Sequence, residues 1–352
     1  MYKPKIGITI GDINGIGPEI IIKAFSKQEM LNLCTPVIYA SAKVMVYYKK
    51  AINAETFQFT TIEKAENAVV GKVNVINCWK DQAEIKIGEI TEVAGRMAHI
   101  SLDYCLHDIK HGFIDSMVTA PIHKKSMQLA SFPYPGHTEY LQQETEGKSL
   151  MMLCYDDLRV ALVTTHIPIS EVSKSMDKDR IVGTIERVNE TLIVDFDIER
   201  PIIAVLGLNP HAGDEGVMGD EEDKYIKPAI EEAKSRGILA YGPFAADGFF
   251  GSGAQKKYHA VVAMYHDQGL VVFKSLAFGR GVNYTAGLNI VRTSPDHGTG
   301  FDIAGKNLAD ESSFRMAIYA AVDIWRNRND YHEFRKNKLK SSRKKTERRK
   351  NR

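Results

Sequence analysis

The 352-residue chain holds only four cysteines, Cys34, Cys78, Cys105 and Cys154, and no two of them form a CxxC pair. That spacing excludes a finger-type thiolate zinc site and a disulfide framework, and fits free thiols in a reducing compartment. No apolar run approaches the length needed to cross a bilayer. The opening stretch, MYKPKIGITIGD, enters a strand directly and lacks the apolar core and cleavage site of a secretory leader. A cytoplasmic location without membrane attachment is therefore expected. No GxGxxG dinucleotide fingerprint is present, and no segment repeats at the period of a solenoid or propeller.

What is present is ordinary for a globular protein: 44% hydrophobic and 9% aromatic residues. The length implies one large or two coupled α/β domains. The net charge of +2 conceals a division, since residues 335–352 contribute +10 and residues 1–334 therefore −8. The end, RKNKLKSSRKKTERRKNR, is too polar to offset its ordering entropy by burial. A disordered basic tail over residues 331–352 is expected, able to touch RNA or anionic surfaces without specificity.

Short β-branched runs alternate with helical patterns, which argues for an α/β fold with a mostly parallel sheet. Strands are expected at Lys5–Ile10, Val37–Ala40, Val73–Trp79 and Ser116–Ala120. Helices are expected at Pro18–Lys27, Ala42–Ala51, about Gly95–Lys110, Thr138–Glu146, Asp177–Val194, Glu221–Arg236 and Glu311–Arg328. Two lobes around a cleft follow, one from residues 1–130 plus 281–330 and the other from residues 131–280.

Three histidines stand in loops, each just behind an apolar run. His166 follows Val160–Thr165, His211 follows Ile202–Leu208, and His266 follows Ala260–Met264, with Asp214 and Asp267 alongside. Ligand sites of α/β sheets lie beyond the carboxyl ends of the strands. Three imidazoles delivered there can hold one divalent metal and leave positions open for substrate. The turn Gly11–Glu19 (GDINGIGPE) joins a strand to a helix and suits either a bound anion or a tight packing turn; no GK[ST] follows it, so it is not a P-loop. His137 and Thr138 sit at a helix start. Lys274 and Arg292 are charge partners for a phosphorylated or carboxylated ligand. Asn283 opens a β-like run, Asn283–Val291, where an amide needs a partner. The loop Ser294–Lys306 can wrap an adenosine, with Asp302 accepting from the ribose and favouring NAD over NADP.

The segments GDINGIGPE, VTAPIHK, PGHTEYL, TTHIPI, LNPHAGDEG, GPFAADGFF, YHDQGL and RTSPDHGTGFDIAGK run in order through roughly residues 5–325. In these the chain resembles the 4-hydroxythreonine-4-phosphate dehydrogenase family of vitamin B6 biosynthesis. It departs at Ile13-Asn14, where that family usually has Pro-Ala, and in the basic tail beyond Trp325. The resemblance implies an isopropylmalate and isocitrate dehydrogenase-like fold. It implies that His166, His211 and His266 bind the metal, that His137, Thr138, Lys274, Asn283 and Arg292 bind substrate, and that His297, Gly298, Thr299, Asp302 and Ile303 lie in the NAD loop. It also implies a homodimer with a shared site, in which one ligand is His266 of the partner subunit.

The implied chemistry is NAD-dependent oxidation of a phosphorylated 3-hydroxy acid, followed by loss of carbon dioxide. Zinc suits three imidazoles, and Mg, Mn or Co can serve as well. Lys274, Asp247 and Asp267 are the candidate proton acceptors, each equally placed to support a neighbour instead. One rival is a paralogous dehydrogenase of 4-phosphorylated threonate or erythronate. The other is a nucleic-acid-binding protein acting through the tail, against which stands the acidic body.

Overall fold

The short apolar runs become the strands of a single sheet. A computed structural model describes residues 2–80 and 83–336. Its strands are β1 (Lys5–Thr9), β2 (Thr35–Ala40), β3 (Phe59–Ile62), β4 (Val73–Asn77), β5 (Ser116–Thr119), β6 (Gly147–Tyr155), β7 (Leu158–Leu162), β8 (Ile202–Leu206), β9 (Leu239–Phe244), β10 (Ala260–Ala263), β11 (Val282–Leu288) and β12 (Arg292–Pro295). They lie in the order β3-β4-β2-β1-β5-β12-β11-β6-β7-β10-β8-β9. The six from β3 to β12 run parallel, as do β7, β10, β8 and β9. Between these halves the pairs β12–β11, β11–β6 and β6–β7 are antiparallel. Parallel strands are covered on both faces, which is why these read as unbroken apolar runs.

The helices that matter for the site are α1 (Gly17–Phe25), α2 (Ala42–Ala51), α3 (Glu92–Lys110), α4 (His137–Glu144), α5 (Lys178–Val194), α6 (Lys227–Ser235), α7 (Ala246–Gly251), α8 (His266–Ala277) and α9 (Ser312–Lys336). Local chemistry sets their ends. Pro18 occupies the first turn of α1, where its missing N–H costs nothing. Thr91 Oγ1 accepts from Ala94 N at 3.1 Å and caps α3. At the far end of α5, buried Asp195 accepts from Tyr284 (2.6 Å) and from Arg328 Nε (2.5 Å), tying α5, β11 and α9 together.

The α/β architecture and the alternation of elements agree with the sequence reading. Several local features differ. Strand β6 was not anticipated; it forms a hairpin with β7 through Asp156-Asp157, where Asp156 takes φ +46° as a two-residue turn demands. Strand β3 lies in a stretch for which no element was expected. The run Asn283–Val291 is not one strand, because Gly287 (φ +77°) and a register shift end β11 before the chain reverses into β12. Finally, α9 continues to Lys336, so residues 331–336 of the expected disordered tail are helical; residues 337–352 lie outside the described residues.

Two apolar clusters flank the sheet. The larger runs from Ile6 and Ile8 through Phe314 and Ile318. The smaller, with Leu162, Leu206, Phe249, Leu270 and Phe273, packs α7 and α8 on the second half. The GDINGIGPE turn is held by packing: Ile16 N donates to Thr299 O at 2.9 Å, and a Cβ on Gly15 would lie 2.7 Å from that oxygen. Glycine permits this close approach.

Candidate active site

Strands β7 and β10 are neighbours, so their trailing loops emerge side by side. Val163 N donates to Ala263 O (2.9 Å), and Thr164 donates to Met264 O through N (3.1 Å) and Oγ1 (2.8 Å). This clamp brings the His166 and His266 rings to 5.7 Å between centroids. His266 is not a loop residue, as expected from sequence, but the first residue of α8. Its Nδ1 lies 2.7 Å from Asp267 Oδ1, a contact that orients the ring and leaves the other nitrogen, Nε2, for a further partner. Burial lowers the pKa of His166, with Lys124 adding to the effect, so the imidazole stays neutral and able to ligate.

His211 is placed differently. It lies exposed on the 210–216 turn, where His211, Ala212, Asp214 and Glu215 all take φ between 45° and 54°. Such residues cost roughly 1–2 kcal/mol each, and runs of them mark sites where strain serves a task. Glu222 holds the turn, accepting from Leu208 N (2.7 Å) and Asn209 N (2.8 Å). Gln268 joins the β8 and β10 ends by donating to Gly207 O (2.6 Å) and accepting from Met264 N (2.7 Å).

A divalent ion bound at about 2 Å by two imidazoles puts their centroids roughly 5–6 Å apart. The His166–His266 pair fits that spacing within one chain. Among the described residues no group of three or more His, Cys, Asp or Glu is assembled to hold a metal, so the third ligand is not in place.

A second group of the expected residues gathers around Arg292, 3% exposed on β12. It donates to Thr119 Oγ1 from Nε (3.0 Å) and Nη2 (2.6 Å), and to Thr285 Oγ1 from Nη1 (2.9 Å). His137 Nδ1 is 3.2 Å from Nη2. All these partners are neutral. Burial pushes the guanidinium down to about 10, opposed by Glu139. Burial, then Arg292, holds His137 well below the usual imidazole range. Thr138, Glu139 and His166 line one cavity of about 340 Å³, together with Met151 and Arg187.

The other expected residues are more scattered. Lys274 is exposed on α8 with Nζ 3.4 Å from Asp296 Oδ1. Asn283 is half-buried in β11, opposite Ser294. Asp247 is exposed in the first turn of α7. In the 297–303 loop, His297 Nε2 is buried without a partner, Thr299 O takes Ile16 N, and Phe301 stacks on His123 at 4.9 Å. Asp302 is exposed, Gly298 is open, and Ile303 N donates to Gly300 O at 3.1 Å.

The model of the pyridoxal phosphate biosynthetic protein PdxA matches residues 32–321. The chain belongs to the PdxA family. A 4-hydroxythreonine-4-phosphate dehydrogenase from Bacteroides thetaiotaomicron is 48% identical over 340 residues, covering 96% of this chain and 93% of that one. A provisionally named D-threonate 4-phosphate dehydrogenase from Oceanobacillus iheyensis is 37% identical over 326 residues, covering 92% and 98%. The crystal structure of the Klebsiella pneumoniae 4-hydroxythreonine-4-phosphate dehydrogenase matches with a TM-score of 0.79 at 33% identity, covering 92% and 98%. The PdxA family is thus one of dehydrogenases serving pyridoxal phosphate biosynthesis, and this chain shares its α/β fold.

Sequence reasoning missed Thr119, Thr285, Glu222 and Gln268, which hold the functional groups in place. Thr119 and Gln268 stand inside the VTAPIHK and YHDQGL segments, so attention to those segments could have found them. Thr285 and Glu222 carry no local signal.

Proposed function

We propose that this PdxA-family chain oxidises 4-hydroxy-L-threonine 4-phosphate with NAD, giving 2-amino-3-oxo-4-phosphooxybutanoate, which decarboxylates to 3-amino-2-oxopropyl phosphate. The observation that supports it best is Arg292, a buried guanidinium with only neutral partners, close to a cavity that also takes in Thr138 and His166. A buried charge with no carboxylate in hydrogen-bond contact is costly, Glu139 offsets only part of that cost, and an anionic substrate relieves the rest. Arg292, His137 and Thr138 bind the phosphate, joined by Lys274 and Asn283.

His166 and His266, completed by His211, hold one divalent metal, Zn or one of Mg, Co and Mn. When bound, the metal lowers the pKa of the substrate hydroxyl and stabilises negative charge as carbon dioxide leaves, while NAD takes the hydride. Asp267 orients His266. Lys274, Asp247 and Asp267 are the candidates for the proton acceptor, and the contact between Asp267 and His266 gives Asp267 the orienting task. His297, Gly298, Thr299, Asp302 and Ile303 hold the adenosine side of NAD. We further propose a cytoplasmic homodimer that shares the site, with the third ligand coming from His266 of the partner subunit; within one chain the His166 and His266 rings stand 5.7 Å apart, close to the seam that the partner would complete. The first lobe, residues 1–130 plus 281–330, serves NAD, and residues 131–280 serve metal and dimer.

The test follows NADH formation by the purified chain with added metals, offered 4-hydroxy-L-threonine 4-phosphate or 4-phospho-D-threonate. Preference for the amino acid supports the reading. Preference for the threonate moves the chain to the second reading, which the Oceanobacillus relative favours. Turnover of neither refutes both.

A further inference from the structure

Arg187 lies on α5 and lines the same cavity as Thr138, Glu139 and His166. Its Nε is buried without a hydrogen-bond partner. Nη2 donates to Thr184 Oγ1 at 3.2 Å, one turn back on the helix. The neighbouring carboxylate, Glu186, is engaged by Arg236, and among the described residues Arg187 forms no ion pair. Burial lowers its pKa, and the Glu186 charge offsets this only in part. The stem passes over Gly287, where a Cβ would be 3.7 Å from Arg187 Cδ. A guanidinium kept half-buried without an anion is an expensive feature.

The sheet register relates this residue to Arg292. Thr285 is paired with Arg292 on one side and with Met151 on the other. Directly opposed residues on neighbouring strands share a face. Met151 lines the cavity and Thr285 binds Arg292, so the guanidinium and the cavity are on the same face of the sheet. Arg187 therefore borders the cavity, and Arg292 lies on the same face of the sheet beside it, next to His137, whose neighbour Thr138 lines the cavity. Neither guanidinium is hydrogen-bonded to a carboxylate, and Glu139 is a cavity carboxylate that offsets only part of the burial of Arg292. A ligand with a single anionic group needs only one of them.

We propose that Arg187 holds the carboxylate of a substrate whose phosphate is held at Arg292, so that the site selects short molecules with an anion at each end. The proposal rests on the phosphorylated-substrate reading above. It adds a specificity-determining residue to that reading. A cavity of about 340 Å³ suits a four-carbon chain with its two charged ends.

The experiment is calorimetric titration of the whole chain with O-phospho-L-serine and with phosphoethanolamine, which keeps the phosphate and amine but lacks the carboxylate. The unmodified chain binds phosphoserine more tightly. Arg187→Gln weakens phosphoserine by roughly 10- to 100-fold, the worth of one charge-assisted contact, and leaves phosphoethanolamine within about twofold. Arg187→Lys recovers part of the loss, and Arg292→Gln weakens both probes. Equal loss of both probes in Arg187→Gln, no loss, or an unmodified chain that does not discriminate between them overturns the assignment. NADH formation by the unmodified chain tests the underlying reading separately: its absence, with probe discrimination intact, refutes the dehydrogenase reading and leaves the dianion receptor standing.

Discussion

Replacing Arg292 by Met separates its cost to the fold from its value to the substrate. Burial lowers the guanidinium from its usual range to about 10, and at about 1.4 kcal/mol per tenfold this is about 3 kcal/mol against the charged form. The folded pKa is the depressed one, so this penalty is fully present at neutral pH and fades as pH rises through 10. Against it stand three charge-assisted bonds donated to Thr119 and Thr285, two of them sharing Thr119 Oγ1, together about 4–7 kcal/mol at about 1.5–3 kcal/mol for each unshared bond. The bonds outweigh the burial cost only modestly, so Arg292→Met lowers folding stability by about 1–4 kcal/mol in urea unfolding. Binding has no such compensation. Two charge-assisted bonds to a phosphate, about 1.5–3 kcal/mol each, lower kcat/KM by about 10²- to 10⁴-fold, mostly through KM. A variant that loses more than about 4 kcal/mol of stability while keeping its KM would show that the guanidinium serves the fold and not the ligand.

Asp267→Asn removes the carboxylate that orients His266, and should weaken metal binding by about 10- to 100-fold in a direct metal titration; unchanged affinity refutes the orienting role. Asp302→Asn should narrow a preference for NAD over NADP, because the carboxylate no longer repels a 2′-phosphate. Equal kcat/KM for the two cofactors in the unmodified chain would show that Asp302 does not read the ribose.

The sequence reading succeeded where one residue type carries a local pattern. Apolar β-branched runs marked β1, β2, β7, β8 and β10. It failed where the deciding partner is far along the chain. Arg292 was recognised as a cation, but its environment is set by Thr119, 173 residues away, and by Thr285 across a hairpin. Strand β6 escaped notice because its first residues are exposed and its burial is uneven, and its turn is Asp-Asp rather than a glycine pair. The tail boundary was set by charge alone, although Arg335 packs over Tyr331 and α9 runs on to Lys336.

The antiparallel seam at the centre of the sheet has a consequence for how the chain is made. Strands β1 to β5 and β6 to β10 are synthesised first, yet in the finished sheet β5 and β6 do not touch. The hairpin of β11 and β12, residues 282–295, is inserted between them. Until those residues leave the ribosome, two half-sheets each carry a bare edge of unpaired N–H and C=O groups, the kind of surface that recruits other chains. Closure depends on pairings distant in sequence and is correspondingly slow. Nascent chains that stop short of the hairpin are therefore the aggregation-prone species of this protein, and the last fifth of the sequence decides whether the first four-fifths stay in solution.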